Sequence, residues 1–317
     1  MKTVLLLGGF GFIGTNILKY SDQLGSKYKI IVFDRFNKHL AGIEFPNLEK
    51  VYSGDFCDEY LIEKIFKENQ IDIVLHSISA SVPSTSVDNI FDLQFNVIPT
   101  IRLLDLMCRY KVLNLVFISS GGAVYGDLPN ESTGHVEENI LYPKSAYGIS
   151  KLTIEKFLHL YSQLYGINSL VLRLSNPYGP YHFSDKQGVI NIAVKKAINN
   201  VEFEIWGTGK GRKDYIYVED FCRIFFKLID KDLPSYTVLN IGSGERLSVE
   251  NILQSIKESY VPDFTWKMKS VNNLDVTSFK LNIDKLMAIL GDFSFVSFEE
   301  GLKLTYQWYN NWINKSK

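Results

Sequence analysis

Short apolar runs alternate with amphipathic stretches along the first 175 residues. The runs are near-continuously apolar, which is typical of strands buried on both faces of a parallel sheet. In chain order the predicted strands are TVLLL, KIIVF, LEKVYS, DIVLHS, LNLVFISS and SLVLRLS. The stretches between them repeat their apolar positions at helical spacing. The pattern therefore predicts an α/β fold, a doubly wound parallel sheet with helices on both faces.

Two features of the later pattern set the expected domain organisation. From Asn89 to Lys111 the spacing predicts one long helix, with Pro99 near its middle as the site of a kink. After about residue 175, loops such as NPYGPYHFSDKQG separate short helices, and DYIYV and TVLNIG are predicted as late strands that return to the sheet. We expect a larger domain and a smaller, partly interleaved α/β lobe, at residues 1–175 plus about 214–243 and at about 176–213 plus 244–317.

Composition and charge narrow the class of protein. The chain has 317 residues, with 34 Lys and Arg against 35 Asp and Glu and no basic stripe, so nucleic acid is not an expected partner. No apolar run approaches the roughly 18 residues that span a bilayer, and glycines interrupt the N-terminal run, which argues against a signal peptide. Cys57, Cys108 and Cys222 lack metal-ligand spacing, so we expect buried thiols in a cytoplasmic protein without a metal site.

A glycine-rich turn follows the first predicted strand and opens the first helix. Its sequence, GGFGFIG, places glycines at positions 8, 9, 11 and 14. In such a turn the first glycine allows the tight bend, the second lets the backbone approach a diphosphate, and the third allows close packing of helix on strand. The spacing predicts a dinucleotide-binding (Rossmann) domain. The residues predicted to hold the cofactor there are Gly8, Gly11, Phe12, Ile13 and Gly14.

Asp34, at the end of the second predicted strand, is the acidic partner that this turn needs. A carboxylate there accepts hydrogen bonds from the adenosine ribose and repels a 2′-phosphate, which favours NAD as the cofactor. The cations that follow, beginning with Arg35, keep NADP as an alternative. After the third strand, Asp55 and Phe56 are predicted to contact the adenine; alternatively, Asp55 caps the helix that starts near Asp58.

Tyr147 and Lys151 lie four residues apart in SAYGISK, so both face one side of a helix. A lysine beside a tyrosine favours the phenolate, as a positive nicotinamide ring would, and both lower the tyrosine pKa from its usual value near 10. A phenolate can take a proton from a sugar hydroxyl while hydride leaves for the cofactor. Because the pair follows a strand that ends in Ser119 and Ser120, we predict that it is catalytic.

These motifs together resemble the extended short-chain dehydrogenases/reductases, in the nucleotide-sugar epimerase/dehydratase group close to UDP-glucose 4-epimerases. GGFGFIG, SSGGAVYG, PKSAYGISK, LRLSNPYGP, DYIYVED and NIGSGERLSV follow in the family's order and cover most of the chain. The resemblance implies that Lys151 also bonds the nicotinamide ribose, that Asn176 helps to hold a substrate diphosphate, and that the segment around Val189 packs on the nucleotide. We also place Asn96 and Ser119 with the cofactor.

The turn after the fifth strand departs from the family pattern. Five residues before Gly126, where the family has a Ser or Thr that bonds the sugar 4-hydroxyl, this chain has Gly121. Either Ser120 or a water molecule is expected to take over that role. The resemblance places the turn between the nicotinamide and the sugar, whose close approach would explain the glycines. Dehydratases of the group carry Asp-Glu at the positions of Gly122 and Ala123, which argues against dehydration.

Three further departures concern the substrate. The family usually has an Arg directly before Asp-Tyr or Asp-Phe, where it binds the diphosphate; here that residue is Lys213, and Arg212 beside it is expected to take over. A second phosphate-binding Arg is expected where this chain has Asn272. Phe279 falls where the family admits or excludes a 2-N-acetyl group, and its bulk predicts a plain hexose.

The sequence therefore predicts an NAD-dependent epimerase that acts at C4 of a nucleotide-linked hexose. The predicted catalytic residues are Tyr147, Lys151 and Ser120, and the predicted substrate-binding residues are Ser120, Gly121, Tyr147, Asn176, Val189, Arg212, Lys213 and Phe279. The alternatives are a reductase of 4-keto-6-deoxy sugar nucleotides that consumes NAD(P)H, and a nucleotide-binding module without chemistry. By resemblance we also expect a homodimer, formed through the helices at Ile98–Lys111 and Ser150–Leu164, and a role in polysaccharide biosynthesis.

Overall fold

A central parallel sheet confirms the doubly wound α/β fold. The computed structural model describes residues 1–35, 37–81, 88–127, 133–269 and 278–315. Its strands are β1 (Lys2–Leu7), β2 (Tyr28–Asp34), β3 (Leu48–Ser53), β4 (Ile73–His76), β5 (Asn114–Ser120), β6 (Asn168–Leu174), β7 (Asn176–Tyr178), β8 (Phe203–Trp206), β9 (Arg212–Tyr217), β10 (Tyr236–Ile241), β11 (Arg246–Ser248) and β12 (Trp266–Lys269). Across these ranges, seven strands pair in parallel in the order β10-β6-β5-β4-β1-β2-β3. The strand order reverses between β1 and β4, which opens a crevice beyond the carboxyl ends of both strands.

Helices cover both faces of this sheet. The α-helices of the same ranges, including those of the second lobe, are α1 (Phe12–Gln23), α2 (Glu59–Glu68), α3 (Asn89–Asp92), α4 (Ile98–Arg109), α5 (Gly121–Val124), α6 (Ala146–Tyr165), α7 (Val189–Ile198), α8 (Val218–Leu228), α9 (Val249–Ser259), α10 (Asp284–Leu290) and α11 (Phe298–Lys315). Side chains of α1 and α8, such as Ile17 and Phe221, form one core with the sheet. Side chains of α2, α4 and α6, such as Ile65, Leu104 and Leu158, form the other. Each such burial stabilises the fold by about 1.5–3 kcal/mol.

The predicted long helix from Asn89 to Lys111 is interrupted just before Pro99. Residues Leu93–Val97 form a π-helical turn between α3 and α4. Pro99 has no N–H to donate to the carbonyl four residues earlier, so regular α-helical bonding cannot run through this point. The Thr100 hydroxyl instead donates to the Asn96 carbonyl at 2.6 Å. The expected irregularity is confirmed, although it takes the form of a wider turn and lies ahead of the proline.

The second lobe contains its own small sheets. β9 pairs with β7 and β11, so the prediction that DYIYV returns to the main sheet is wrong, whereas TVLNIG forms the edge strand β10 as predicted. α11 is 18 residues long and packs against α7 in this lobe, which contradicts the expected run of short helices. The proposed domain boundaries stay a prediction.

Three expectations from composition concern cysteines, metals and membranes. The three cysteines are free; Cys222 is buried, whereas Cys57 and Cys108 are only half-buried. In the described ranges, no group of three or more His, Cys, Asp and Glu side chains is arranged to hold a metal ion. Nor is any helix in those ranges both long and apolar enough to cross a bilayer.

Candidate active site

The glycine-rich turn has the geometry that its sequence predicts. Gly8 has φ +86°, which other residues rarely adopt. A Cβ on Gly14 would lie 2.4 Å from the Gly8 carbonyl oxygen, so only glycine allows α1 to pack this close to the turn. α1 begins after Gly11, and no side chain caps its first turn, which leaves N–H groups there for an anionic ligand. The turn therefore fits the diphosphate of a dinucleotide.

Asp34 is fixed beside this turn by two backbone hydrogen bonds. Its Oδ2 accepts from the Phe10 N–H at 2.8 Å, and its Oδ1 accepts from the Arg35 N–H at 2.7 Å. Burial raises the pKa of the Asp34 carboxyl, and these hydrogen bonds oppose that rise. Asn37 braces the same turn, since its side chain donates to the Phe10 carbonyl at 2.8 Å. At least one lone pair of the Asp34 carboxylate stays for a ribose hydroxyl.

The two residues predicted to contact the adenine are placed differently. Asp55 is exposed and accepts a hydrogen bond from the Cys57 N–H at 2.8 Å. The cap of α2 is Asp58, which accepts from the Leu61 N–H, so the alternative that Asp55 caps this helix is wrong. The Phe56 ring is 9% exposed and packs with the rings of Phe33 and His76. It belongs to the core, because an apolar ring beside a buried strand gains more from that contact than from water.

The structure brings the three predicted catalytic side chains together. Tyr147 and Lys151 lie on the first turns of α6, and the Lys151 ammonium is 5.7 Å from the centroid of the Tyr147 ring. Lys151 donates to the Ile118 carbonyl at 2.9 Å, which ties α6 to β5. Ser120, the last residue of β5, hydrogen-bonds the Tyr147 hydroxyl. The serine therefore contacts the tyrosine hydroxyl directly, and its role towards the sugar 4-hydroxyl stays a prediction.

Burial controls the pKa values of this pair. Burial raises the pKa of Tyr147 to about 12. The hydrogen bond from Ser120 opposes this rise, and the nearby charge of Asp92 adds to it. Burial also lowers the pKa of Lys151 to about 8, although the charges of Glu155 and Asp92 act to raise it. In the protein without cofactor, burial therefore outweighs the lowering of the tyrosine pKa that the sequence predicts from Lys151. Both groups are almost fully buried, and desolvation penalises the charged form of each.

A buried acid that the sequence analysis missed lies next to this pair. Asp92 is 1% exposed and accepts hydrogen bonds from the Ser81 hydroxyl and from the Asn96 amide, the latter at 3.0 Å. The side-chain oxygen of Asn96, Oδ1, accepts from the Ala80 N–H at 2.8 Å. The Asn96 side chain thus holds the backbone after β4 and Asp92. The contact between Asp92 and Asn96 could have been predicted from the sequence, because residues four apart share one face of a helix.

Ser119 does not point to the cofactor crevice. Its hydroxyl donates to Glu155 at 2.5 Å, and Glu155 forms a buried ion pair with Arg173 at 2.8 Å. Successive residues of a strand face opposite sides of the sheet, so Ser119 and Ser120 cannot both face Tyr147. The Ser119 hydroxyl is therefore engaged by Glu155, and a contact of this residue with the cofactor stays a prediction. Glu155 follows Lys151 by one turn of α6, which the sequence pattern could have shown.

The two glycines after Ser120 are contacted by this chain's own second lobe. A Cβ on Gly121 would lie 2.7 Å from Cδ1 of Leu281 and 3.1 Å from the Arg173 carbonyl oxygen. A Cβ on Gly122 would lie 3.0 Å from Cε1 of Phe279. Protein side chains thus fill the space on the Cβ side of both glycines, and the expected approach of nicotinamide and sugar stays a prediction. Gly121 has no side chain with which to bind substrate.

Phe279 has a different setting from the one predicted for it. Its ring is 2% exposed and packs with Val124, Tyr125 and Leu281. A ring this deeply buried supports the turn at Gly122 and offers almost no surface to a sugar. Its position relative to a 2-N-acetyl group stays a prediction.

The other predicted substrate residues lie in the second lobe. The Asn176 amide donates to the Asp214 carbonyl at 2.8 Å, and Val189 is the first residue of α7, after Gly188 with φ +86°. Arg212 is exposed and Lys213 half-buried at the start of β9. As neighbours on a strand, these two cationic side chains leave the backbone on opposite faces. Asn272 lies outside the described residues.

His76 ends β4, and the sequence analysis gave it no catalytic role. Its Nε2 lies 2.8 Å from the Thr100 hydroxyl, and burial lowers its pKa to about 3. A histidine that stays neutral and fully buried is part of the packed core.

The doubly wound sheet, the glycine-rich turn and the buried Tyr147–Lys151 pair together define a dinucleotide-dependent enzyme of the short-chain dehydrogenase/reductase class. The model of the NAD dependent epimerase/dehydratase family matches residues 4–242. The chain belongs to this family, and NAD is its cofactor.

Relatives within the family differ in the reaction named for them. A putative UDP-glucose 4-epimerase of Methanocaldococcus jannaschii is 32% identical over 316 residues, which covers 97% of this chain and 98% of that protein. The structure of a UDP-glucose 4-epimerase from Thermotoga maritima with UDP-glucose matches with a TM-score of 0.86 at 30% identity, covering 98% of this chain and 99% of that one. A dTDP-glucose 4,6-dehydratase from Bacillus anthracis in complex with NAD matches with a TM-score of 0.84 at 26% identity, covering 100% of both.

Proposed function

We propose that this protein is a 4-epimerase of a nucleotide-linked hexose of the UDP-glucose/UDP-galactose type. The observation that carries the proposal is the hydrogen bond between Ser120 and Tyr147, with Lys151 beside the same ring. This arrangement supplies a hydroxyl relay and a base for one sugar hydroxyl. The similarity to UDP-glucose 4-epimerases along nearly the whole chain supports this substrate class.

In the proposed reaction, Tyr147 takes the proton of the sugar 4-hydroxyl as C4 is oxidised to a ketone. Bound NAD supplies the hydride acceptor, and its positive ring favours the Tyr147 phenolate against the effect of burial. Ser120 donates a hydrogen bond to the phenolate and relays the proton from the sugar. After the sugar turns over, Tyr147 returns the proton as C4 regains hydride on its opposite face. Protons and hydride balance, so the cycle needs no outside reductant.

The sugar must turn while its nucleotide stays bound. We propose that Asn176, the segment at Val189 and one cation of β9 hold the nucleotide diphosphate, because all three belong to the lobe that faces the crevice. Few direct contacts to the hexose itself would then leave it free to rotate.

Dehydration and reduction are less well supported by these residues. The Asp-Glu pair of the dehydratases is replaced by Gly122, packed against Phe279, and by Ala123, which is 6% exposed. Neither residue can transfer a proton. A missing hydroxyl at Gly121 would favour the reductase, but in our proposal Ser120, which hydrogen-bonds Tyr147, provides a hydroxyl from one residue earlier.

The test uses purified protein without added cofactor. It is incubated with UDP-glucose, UDP-galactose and their N-acetyl forms, and the anomeric protons are followed by NMR. Interconversion of one pair of 4-epimers is the expected result, and Tyr147→Phe should abolish it. Folded wild-type protein that converts none of the four would contradict the proposal for UDP-hexoses. Oxidation of NAD(P)H with a 4-keto-6-deoxy sugar nucleotide would then favour the reductase, and unchanged function in Tyr147→Phe would favour a binding module.

A further inference from the structure

The segment that contacts the active-site glycines is held firmly along its length. The Phe279 N–H donates to the Arg212 carbonyl at 3.0 Å, on the side of β9. On the other side, the His135 N–H donates to the Lys280 carbonyl at 2.8 Å, and the Asn282 N–H donates to the His135 carbonyl at 2.9 Å. Residues 279–282 therefore form backbone hydrogen bonds to two neighbours, with Leu281 in a parallel β-bridge to His135.

The buried carboxylate of Asp214 adds another anchor to this segment. It hydrogen-bonds the backbone of Leu281, and it also accepts from the Ser243 N–H at 2.9 Å and the Gly244 N–H at 3.2 Å. Leu281 is therefore tied to the loop that follows β10, at the carboxyl edge of the main sheet. Because its backbone is held in place, the Leu281 side chain contacts the turn after Ser120 from a fixed position.

Phe279 and Leu281 are two residues apart in this segment, and their side chains point to the same side. Each contacts one glycine of the turn after Ser120: Leu281 meets Gly121 and Phe279 meets Gly122. Both are nearly inaccessible, at 0% and 2% exposed. A pair of glycines has wide backbone freedom, and these two apolar side chains restrict it.

We propose that Leu281 and Phe279 are positioning residues for the Ser120 hydroxyl. Ser120 is the last residue of β5, and the next two residues are the glycines on which Leu281 and Phe279 pack. The direction of the serine side chain therefore depends on where the turn lies. The packing of these two side chains holds the turn in the position in which Ser120 hydrogen-bonds Tyr147. Ser120 can then replace the hydroxyl that is missing at Gly121. This inference rests on the proposed function, in which Ser120 relays a proton.

The same contacts link the nucleotide end of the substrate site to the reacting end. The Phe279 N–H bonds the carbonyl of Arg212, one of the two predicted phosphate-binding cations. A ligand that orders the start of β9 therefore also orders the residue that packs on Gly122.

The test is a double-mutant cycle between Leu281 and Ser120. If Leu281 acts through the serine, Leu281→Ala lowers kcat about tenfold to a hundredfold and leaves KM unchanged, because a small displacement of a catalytic group is enough for such a loss. Ser120→Ala lowers kcat as well, and the double variant is no slower than Ser120→Ala alone. Multiplicative losses in the double variant would overturn the proposal.

Two companion variants separate positioning from stability. Leu302→Ala removes an equally buried leucine from the core of the second lobe and should lower Tm with kcat unchanged. Leu281→Met keeps most of the volume and should restore kcat. If Leu281→Ala does not fold, Leu281→Val takes its place in the cycle.

A structural readout keeps the inference testable whatever the substrate is. A crystal structure of Leu281→Ala should show the hydrogen bond between Ser120 and Tyr147 broken or the serine in several rotamers. An unchanged hydrogen bond would overturn the proposal. If UDP-hexoses are not converted, the cycle is run on the reductase assay, which uses the same pair of hydroxyls. Failure of the epimerase assignment is thereby distinguished from failure of the positioning role.

Discussion

Leu281 fills the space that a side chain on Gly121 would need, with its Cδ1 2.7 Å from the position of such a Cβ. The glycine and the leucine are therefore complementary, and neither can be changed alone without a cost in packing. This explains why the residue at which the family has a hydroxyl carries no side chain in this protein.

The first prediction concerns Gly121→Ser, which places a serine at that position. The new side chain meets Leu281 and the Arg173 carbonyl, so we expect a loss of about 1–3 kcal/mol in the free energy of unfolding and no gain in kcat. The double variant Gly121→Ser with Leu281→Ala should recover stability relative to either single change. Urea unfolding measures this, and a single variant as stable as wild type would contradict the complementarity.

The second prediction is that Lys151, although needed for catalysis, lowers the free energy of unfolding. Burial holds its pKa at about 8, below the roughly 10.5 of an unfolded chain, so the folded state loses its proton first as pH rises. The cost of burying the charge is fully present below pH 8 and declines towards pH 10.5. Lys151→Met should lose turnover and gain about 1–3 kcal/mol at pH 7.

The pH dependence provides the check on this second prediction. The difference in unfolding free energy between Lys151→Met and wild type should shrink as pH rises from 8 to 10.5. A constant difference over that range would mean that the lysine is not desolvated in the folded protein. The difference between the two proteins is used because the buried tyrosines titrate in both, so their effect on the unfolding free energy cancels.

The third prediction separates Asp34 from Ser119 as cofactor residues. Asp34 is fixed at the glycine-rich turn and keeps at least one lone pair for the ribose, so Asp34→Ala should weaken NAD binding at least about tenfold, the equivalent of one charge-assisted hydrogen bond. Ser119 donates to Glu155, so Ser119→Ala should leave NAD affinity unchanged. Calorimetric titration with NAD measures both, and equal losses would contradict the orientation of Ser119.

The fourth prediction concerns the buried ion pair of Glu155 and Arg173. Glu155→Gln leaves the guanidinium buried without a full counter-charge, and we expect a loss of about 3–5 kcal/mol in stability. Replacing both partners, with Glu155→Leu and Arg173→Met, should recover much of that loss. If the single and the double variants unfold at the same urea concentration, the loss in Glu155→Gln does not come from the unpaired guanidinium.

The fifth prediction concerns oligomeric state. Apolar side chains are exposed at the start of α4 and along α6, among them Ile98 at 44%, Ile149 at 51% and Leu164 at 62%. Leu104 and Leu158 of the same helices already face the sheet, so the exposed residues form a separate surface. We expect a homodimer through this surface, and Leu164→Glu should give monomers by light scattering. Val201→Glu, at a similarly exposed apolar residue elsewhere, is the control.

Much of the fold could be predicted because its signals are local. The apolar runs of β1, β2 and β4 to β6 read directly as buried strands, and the glycines at 8, 11 and 14 mark a turn whose geometry depends on their own φ angles and missing side chains. Tyr147 and Lys151 could be paired because a spacing of four places both on one helical face. β9 could not be placed, because a short apolar strand carries no information about which sheet it joins.

The sequence by itself determined the class of fold, the dinucleotide turn and the Tyr–Lys pair, since each depends on residues close together in the chain. Only the tertiary structure decided what those residues contact: Leu281 and Phe279 on the glycines, Glu155 on Ser119, and Asp92 beside the catalytic pair. The physical reason is that periodicity and spacing fix local conformation and the face on which a side chain lies. The neighbours on that face come from distant parts of the chain, and close packing selects them.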